Sequence, residues 1–282
     1  MNWEDYAVQI DDALDKLSQE NDAPTLLSDA MRYSLLGGGK RIRGSLLLAG
    51  CALVGGSIEE ALVPACAVEM IHCFSLIHDD LPSMDNDDIR RGKPANHIVY
   101  GVGMATLAGD ALFALAFQRM LEHAAKYPEH IDRHVAAMTR IARASGISGI
   151  AGGQCLDLSS EQEQHSWNAA LLEEIHLRKT AALMAAPVAA GLILGGATEA
   201  EVCAGNIFGL VLGQAFQIAD DLLDESGMDA KRGKLTWPGF HGIEAARKAV
   251  TQLTEEAHAA LGLFGEAAAS LHALVDRVLK RG

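Results

Sequence analysis

Five aspartates, Asp79, Asp80, Asp85, Asp87 and Asp88, fall within ten residues of the stretch HDDLPSMDNDDIRRGKP, and Arg90, Arg91 and Lys93 follow directly. Like charges packed this closely repel, so a cation or a set of donors must compensate them. A second acidic stretch, FQIADDLLDESG, sets Asp220, Asp221 and Asp224 in strongly apolar sequence. On a helix, residues four apart share a face, so Asp220 and Asp224 project together, roughly 6 Å apart at Cβ. All the hard ligands here are oxygens, with no Cys or His at ligand spacing, which suits Mg²⁺ or Mn²⁺ better than zinc. A solvated helix end with no metal explains D-D-x-x-D equally well. The first stretch cannot be one straight helix. Asp79 and Asp85 are six apart and lie on different helical faces, with Pro82 between them. A helix opening near Leu81, and a short loop returning Asp85, is the expectation. An EF-hand is excluded, because the Gly at loop position six and the Glu at twelve are missing.

Basic residues come in four groups: Lys40, Arg41 and Arg43 in GGGKRIRG; Arg90 and Arg91 in DIRRGKP; Lys179 beside Thr180 in HLRKT; and Lys231, Arg232 and Lys234 in RGKLTWP. Each alone reads as a solvated face. The glycine run has neither Walker A nor G-x-G-x-x-G spacing. Acidic and basic groups together describe a polyphosphate site, in which carboxylates hold Mg²⁺ and the ions and basic residues neutralise the phosphates.

The elements that must position these groups are helical. Long Ala- and Leu-rich stretches such as LLEEIHLRKTAALMAAPVAAGLILGG, and GIEAARKAVTQLTEEAHAALGLFGEAAASLHALVDRVLKR with apolar residues at three- and four-residue steps, carry the pattern. SIEE (Ser57–Glu60) matches a capping box, with Pro64 able to kink the helix behind it. No hairpin turn stands between alternating runs. The glycine pairs and triplets at 37–39, 55–56, 152–153 and 195–196 read as helix ends. The expectation is one all-α domain over residues 1–282, with about ten helices at the usual mean length.

Composition bounds the rest. Of 282 residues, 49% are apolar, enough for a large core, and the net charge of −14 argues against non-specific nucleic-acid binding. Five cysteines without a C-x-x-C pair argue for a reducing compartment. The first residues show no export signal, so a cytoplasmic location is expected. The apolar run Ala181–Ala197, interrupted by Pro187, reads as a buried helix and not as a transmembrane segment.

In this order along the chain, GGGKRIRG, HDDLPSMDNDDIRRG, GGQCLDL, the Lys179–Thr180 pair, FQIADDLLD and GKLTWP resemble the motifs of the trans-isoprenyl diphosphate synthases, closest to the bacterial farnesyl diphosphate synthase type. The resemblance implies an isoprenoid synthase-type helical bundle around a deep central cavity. By position it assigns Asp79, Asp80, Asp85, Asp220 and Asp224 to Mg²⁺, about three ions per site, with Mn²⁺ able to substitute. It gives Arg90, Lys179 and Lys234 to the allylic diphosphate, and Lys40, Arg43, His72 and Arg91 to isopentenyl diphosphate. Thr180, Gln154, Gln217 and Asp221 would support the reaction from the cavity wall. Phe74 lies five residues before Asp79, about 7.5 Å along the helix, and in the family an aromatic there stops the growing chain near C15. The implied activity is Mg²⁺-dependent condensation of isopentenyl diphosphate with dimethylallyl or geranyl diphosphate to farnesyl diphosphate, in a homodimer. Geranylgeranyl diphosphate synthesis and a non-catalytic partner subunit of the same fold are the alternatives. Two departures stand out: the segment after the second acidic motif is short, and Gly44 stands where members often carry Pro.

Overall fold

The computed structural model describes residues 3–19, 22–162, 168–223 and 236–279. Within them the chain is an all-α bundle. In order come α1 (Trp3–Leu17), α2 (Thr25–Leu35), α3 (Ile42–Leu53), α4 (Ile58–Asp79), a short β-hairpin of β1 (Ile89–Arg90) and β2 (Lys93–Pro94), α5 (Asn96–Tyr100), α6 (Val102–Ala124), α7 (Ile131–Ser145), α8 (Ile150–Gln162) and α9 (Ala169–Ile175). A π-helical stretch, His176–Ala181, joins α9 to α10 (Ala182–Gly195). Then follow α11 (Glu199–Leu223), α12 (Trp237–His241), α13 (Ile243–Ala260) and, after a 3₁₀ stretch, α14 (Ala269–Leu279).

The hydrophobic core is one cluster running from Tyr6 to Val275. α10 lies at its centre, against α3, α7 and α11, while α4 packs on α3 and α6. α10 is apolar on every face and almost wholly buried, as a central helix must be. Three helical stretches, Ile58–Asp79, Ala169–Gly195 and Glu199–Leu223, have the length and apolar content of membrane spans.

α4 shows how the sequence fixes a long helix that ends in the acidic motif. Ser57 caps it, accepting the Glu60 N–H at 3.3 Å, and Glu59 and Glu60 favour its positive end. The Glu60 carboxylate does not complete a capping box. It is buried and accepts from His134 Nε2 at 2.9 Å and His130 Nδ1 at 3.1 Å. Pro64 offers no N–H to the carbonyl four residues earlier, and His123 Nε2 bonds that freed Glu60 carbonyl at 2.9 Å. The helix therefore runs through Pro64. A full capping box begins α11 instead, where Thr198 Oγ1 accepts from Glu201 N and Glu201 Oε2 accepts from Thr198 N.

Two further sequence expectations are corrected. Residues 89–94 form a hairpin, with Arg91 (φ 54°) and Gly92 (φ 74°) as a two-residue turn of positive φ. Gly152 and Gly153 lie inside α8 and end no helix. A Cβ on Gly153 would sit 2.4 Å from the backbone nitrogen of Lys179, so this glycine lets α8 close on the π-helical stretch.

Candidate active site

α4 reaches the site with Glu69, His72, Leu76 and Asp79, which recur at three- and four-residue steps and therefore share one face. That face lines a cavity of about 870 Å³. The loop before α3 adds Lys40 and α3 adds Arg43; the hairpin adds Arg90 and Arg91; the π-helical stretch adds Lys179 and Thr180; and α11 adds Phe216, Gln217 and Asp220. Ten of the site residues expected from the sequence thus meet around one cavity, from six parts of the chain: Lys40, Arg43, His72, Asp79, Arg90, Arg91, Lys179, Thr180, Gln217 and Asp220.

The first acidic motif opens as its spacing requires. α4 ends at Asp79, and the Asp85 N–H returns to the Asp79 carbonyl at 2.8 Å, with Asp87 N on the Asp80 carbonyl at 3.2 Å. Asp79 and Asp80, one residue apart, point to different places. Asp79 is on the cavity wall. Asp80, expected in the metal set, is 2% exposed and accepts from Arg90 Nε at 3.0 Å and from Arg90 Nη2. It borders a second cavity of about 40 Å³, with Tyr33 and Cys73, that shares Arg90 and Arg91 with the first. Burial raises the Asp80 carboxyl pKa, and the Arg90 hydrogen bond and charge work against that rise.

Lys179 is anchored by a residue the sequence reading passed over. Its Nζ lies 2.5 Å from Asp157 Oδ2, and both side chains are largely buried. Burial pulls the ammonium pKa down, but Asp157, then Asp79 and Asp85, outweigh it, and the pKa ends above the ordinary lysine value. Glu69 was likewise missed. It is buried on the cavity face of α4 and accepts the Gly44 N–H at 2.8 Å, a donor that proline would lack. Asp157 lies within the quoted GGQCLDL stretch, and Glu69 lies three residues before His72. Helical spacing could have recovered the second. Arg41 is not a ligand candidate, since its buried guanidinium bonds Asp11 and the Leu35 carbonyl.

On α11, Asp220 faces the cavity and Asp221 does not. Burial, with Asp221 beside it, pushes the Asp220 carboxyl up to about 6 against the pull of Arg43. Asp221 accepts from Gln217 Nε2 at 2.8 Å and from the Trp237 N–H at 2.9 Å, and so fastens α12 to α11. Thr180 Oγ1 donates to Gln217 Oε1 at 2.6 Å and completes that line. His72 is held well below the ordinary histidine pKa by burial and by the arginines Arg43 and Arg91. Gln154 is buried on α8, and neither of its amide atoms finds a partner among the described residues. Phe74 packs edge-on against His78 at 4.8 Å and tilted against Phe113 at 4.9 Å, which in turn meets Phe117, forming an aromatic column between α4 and α6. Asp224, Lys231, Arg232 and Lys234 lie outside the described residues.

Among the described residues no three His, Cys, Asp or Glu side chains already form a metal cage. The donors that face the cavity from α4 and α11, Asp79 and Asp220, are oxygens, and Asp220 is a poorly compensated carboxylate. That donor set fits a hard divalent cation shared with a ligand's own phosphate oxygens.

Residues 24–262 match the family model described as polyprenyl synthetase. A putative geranylgeranyl pyrophosphate synthase 8 of Arabidopsis thaliana is 46% identical over 90% of this chain and 74% of its own length. A geranylgeranyl diphosphate synthase of Cyanophora paradoxa is 44% identical over 96% of this chain and 93% of its own. The crystal structure of an FPP/GFPP synthase from Zymomonas mobilis superposes with a TM-score of 0.90 at 36% identity, covering 98% of this chain and 97% of the other.

Proposed function

Since the chain belongs to the polyprenyl synthetase family, we propose that it is a Mg²⁺-dependent, chain-elongating prenyltransferase that joins isopentenyl diphosphate to an allylic diphosphate and ends at the C20 product, geranylgeranyl diphosphate. The observation that carries the reading is the meeting of Lys40, Arg43, Arg90, Arg91 and Lys179 with Asp79 and Asp220 around one cavity. Two diphosphates bring several negative charges, and these cations can neutralise them through charge-assisted hydrogen bonds. Asp79 and Asp85, with Asp220 and Asp224, would hold the Mg²⁺, which when bound supplies the positive charge that polarises the allylic diphosphate.

The chain's own residues do the remainder. Lys179 and Arg90, joined by Lys234 on sequence grounds, bind the allylic diphosphate and stabilise it as a leaving group. Lys40, Arg43, His72 and Arg91 bind isopentenyl diphosphate. The allylic C–O bond breaks and its electron pair leaves with the diphosphate. The isopentenyl double bond attacks the resulting carbocation, and the released diphosphate takes the proton that is then lost. A ring N–H of His72 can donate a hydrogen bond to the isopentenyl diphosphate. Leu76, Ile150 and Phe216 give the cavity an apolar lining that keeps water from the cation.

The C20 product rests on the names of the two curated relatives. The C15 product, farnesyl diphosphate, is the second reading, favoured by the aromatic column at Phe74. A homodimer belongs to the same proposal. Val102, Leu107 and Leu121 of α6, with Ile98 and Val99 of α5, expose apolar side chains that a second copy would cover. The test is to incubate the purified protein with Mg²⁺, isopentenyl diphosphate and either dimethylallyl, geranyl or farnesyl diphosphate, and to size the products. A C20 end product supports the proposal, a C15 end product replaces it with the second reading, and no turnover with any primer leaves a non-catalytic partner subunit.

A further inference from the structure

The hairpin that carries Arg90 and Arg91 has two residues per strand. A ribbon this short does not hold its own position in water. Something outside must place it, and the two arginines are held in different ways. Arg90 is locked by the buried Asp80 carboxylate. Among the described residues Arg91 is hydrogen-bonded to no carboxylate; it donates to the Gly38 carbonyl, with Gly39 packed against its guanidinium. Its place therefore depends on where the turn sits relative to α2 and the glycine loop.

We propose that Tyr33 is a positioning residue that holds the hairpin so that Arg91 faces isopentenyl diphosphate, a role that rests on the function proposed above. The Tyr33 hydroxyl donates to the Pro94 carbonyl at 2.8 Å, on the second strand directly beyond the turn. Its ring packs edge-on against Tyr100 at 5.6 Å, which fixes the direction of the hydroxyl. Asn96, two residues after Pro94, donates to the Ala30 carbonyl and the Ser34 hydroxyl, both at 2.8 Å, and ties the same segment to the same helix. Tyr33 also borders the smaller cavity together with Arg90 and Arg91. α2, which supplies no ligand itself, thereby sets the register between the glycine loop and the arginine turn.

Tyr33→Phe removes the hydroxyl and keeps the ring. Isopentenyl diphosphate and, with Mg²⁺, geranyl diphosphate are titrated calorimetrically into the wild type, Tyr33→Phe, Arg91→Ala and the double variant. The expected result is a weakening of isopentenyl diphosphate binding by roughly fivefold, the scale of one hydrogen bond, with geranyl diphosphate within about twofold because Asp80 still holds Arg90. In the Arg91→Ala background Tyr33→Phe should add no further loss, since both changes act through one contact. Unchanged isopentenyl diphosphate binding overturns the proposal. So does an equal loss in both backgrounds, or an equal loss for both diphosphates with a lowered melting temperature. A wild type that binds neither diphosphate overturns the functional reading first and this role with it, whereas a wild type that binds and turns over both leaves Tyr33 alone at issue.

Discussion

Replacing Asp157 by Asn tests how the cavity keeps Lys179 charged and aimed. The 2.5 Å pair is mostly buried, Asp157 being 8% and Lys179 23% exposed. At an effective dielectric of about 20 the gross attraction at that distance is roughly 7 kcal/mol. Desolvation of both ions cancels most of it. Asparagine keeps an oxygen that can accept from Nζ but removes the charge that compensates the buried ammonium, a loss of about 1.5–3 kcal/mol, the scale of a hydrogen bond to a charged group. Expressed in the transition state, that is about 10- to 150-fold in kcat/KM for the allylic diphosphate. The pH profile should change as well. Burial pulls the Lys179 pKa down, and Asp157 is the largest influence holding it up. Without that carboxylate the folded-state pKa falls, the ammonium deprotonates sooner as pH rises, and the alkaline limb of the rate profile moves to lower pH. Steady-state kinetics with varied allylic diphosphate, at saturating isopentenyl diphosphate and across a pH series, read both effects. A kcat/KM within twofold of wild type and an unmoved alkaline limb would refute the reasoning.

Two further outcomes are expected. Phe74→Ala opens the aromatic column at its contact with Phe113 and should lengthen the products, read by mass spectrometry; an unchanged product profile removes Phe74 from chain-length control. His176 is buried, and burial pushes its pKa down from 6.5 to about 4. The unfolded chain then binds the proton more readily, so this stabilisation is complete above about pH 6.5 and is lost as pH falls toward 4, at most about 3 kcal/mol. His176→Gln should flatten the fall in melting temperature over that interval, and a slope equal to that of wild type would contradict it.

The layout of the cavity was legible in the sequence because helical geometry links spacing to direction. Asp79 and Asp85 could not share a helix face, and the chain does turn back after Asp79 to bring them together. The basic groups at 40–43, 90–91 and 179 were visible as clusters, and the fold gathers them. What the sequence hid were choices made by packing. Asp79 and Asp80 look alike in a string, yet about 100° of helix turn sends one to the cavity and the other to Arg90. Gly152–Gly153 looks like a break, but the close approach of Lys179 is a tertiary fact. The hairpin escaped notice because two residues per strand show no alternation, and its turn uses Arg91 where Asn or Asp would have given a signal. Pro64 looks like a helix breaker until His123 supplies the partner for the Glu60 carbonyl. Asp157 and Tyr33 act through long-range contacts, 22 and 61 residues away in sequence, that no local pattern records.

The central claim is that the two acidic motifs form one site with the basic residues between them. The most direct test is Mg²⁺-dependent turnover of isopentenyl and allylic diphosphates by Asp79→Ala, Asp220→Ala and the double variant, each checked for an intact helical fold by circular dichroism. Parts of one machine are not additive, so each single change should cost about as much as both together, a loss on the order of a thousandfold or more. Near-wild-type turnover by either single variant, or two modest losses that multiply in the double variant, would contradict a shared site.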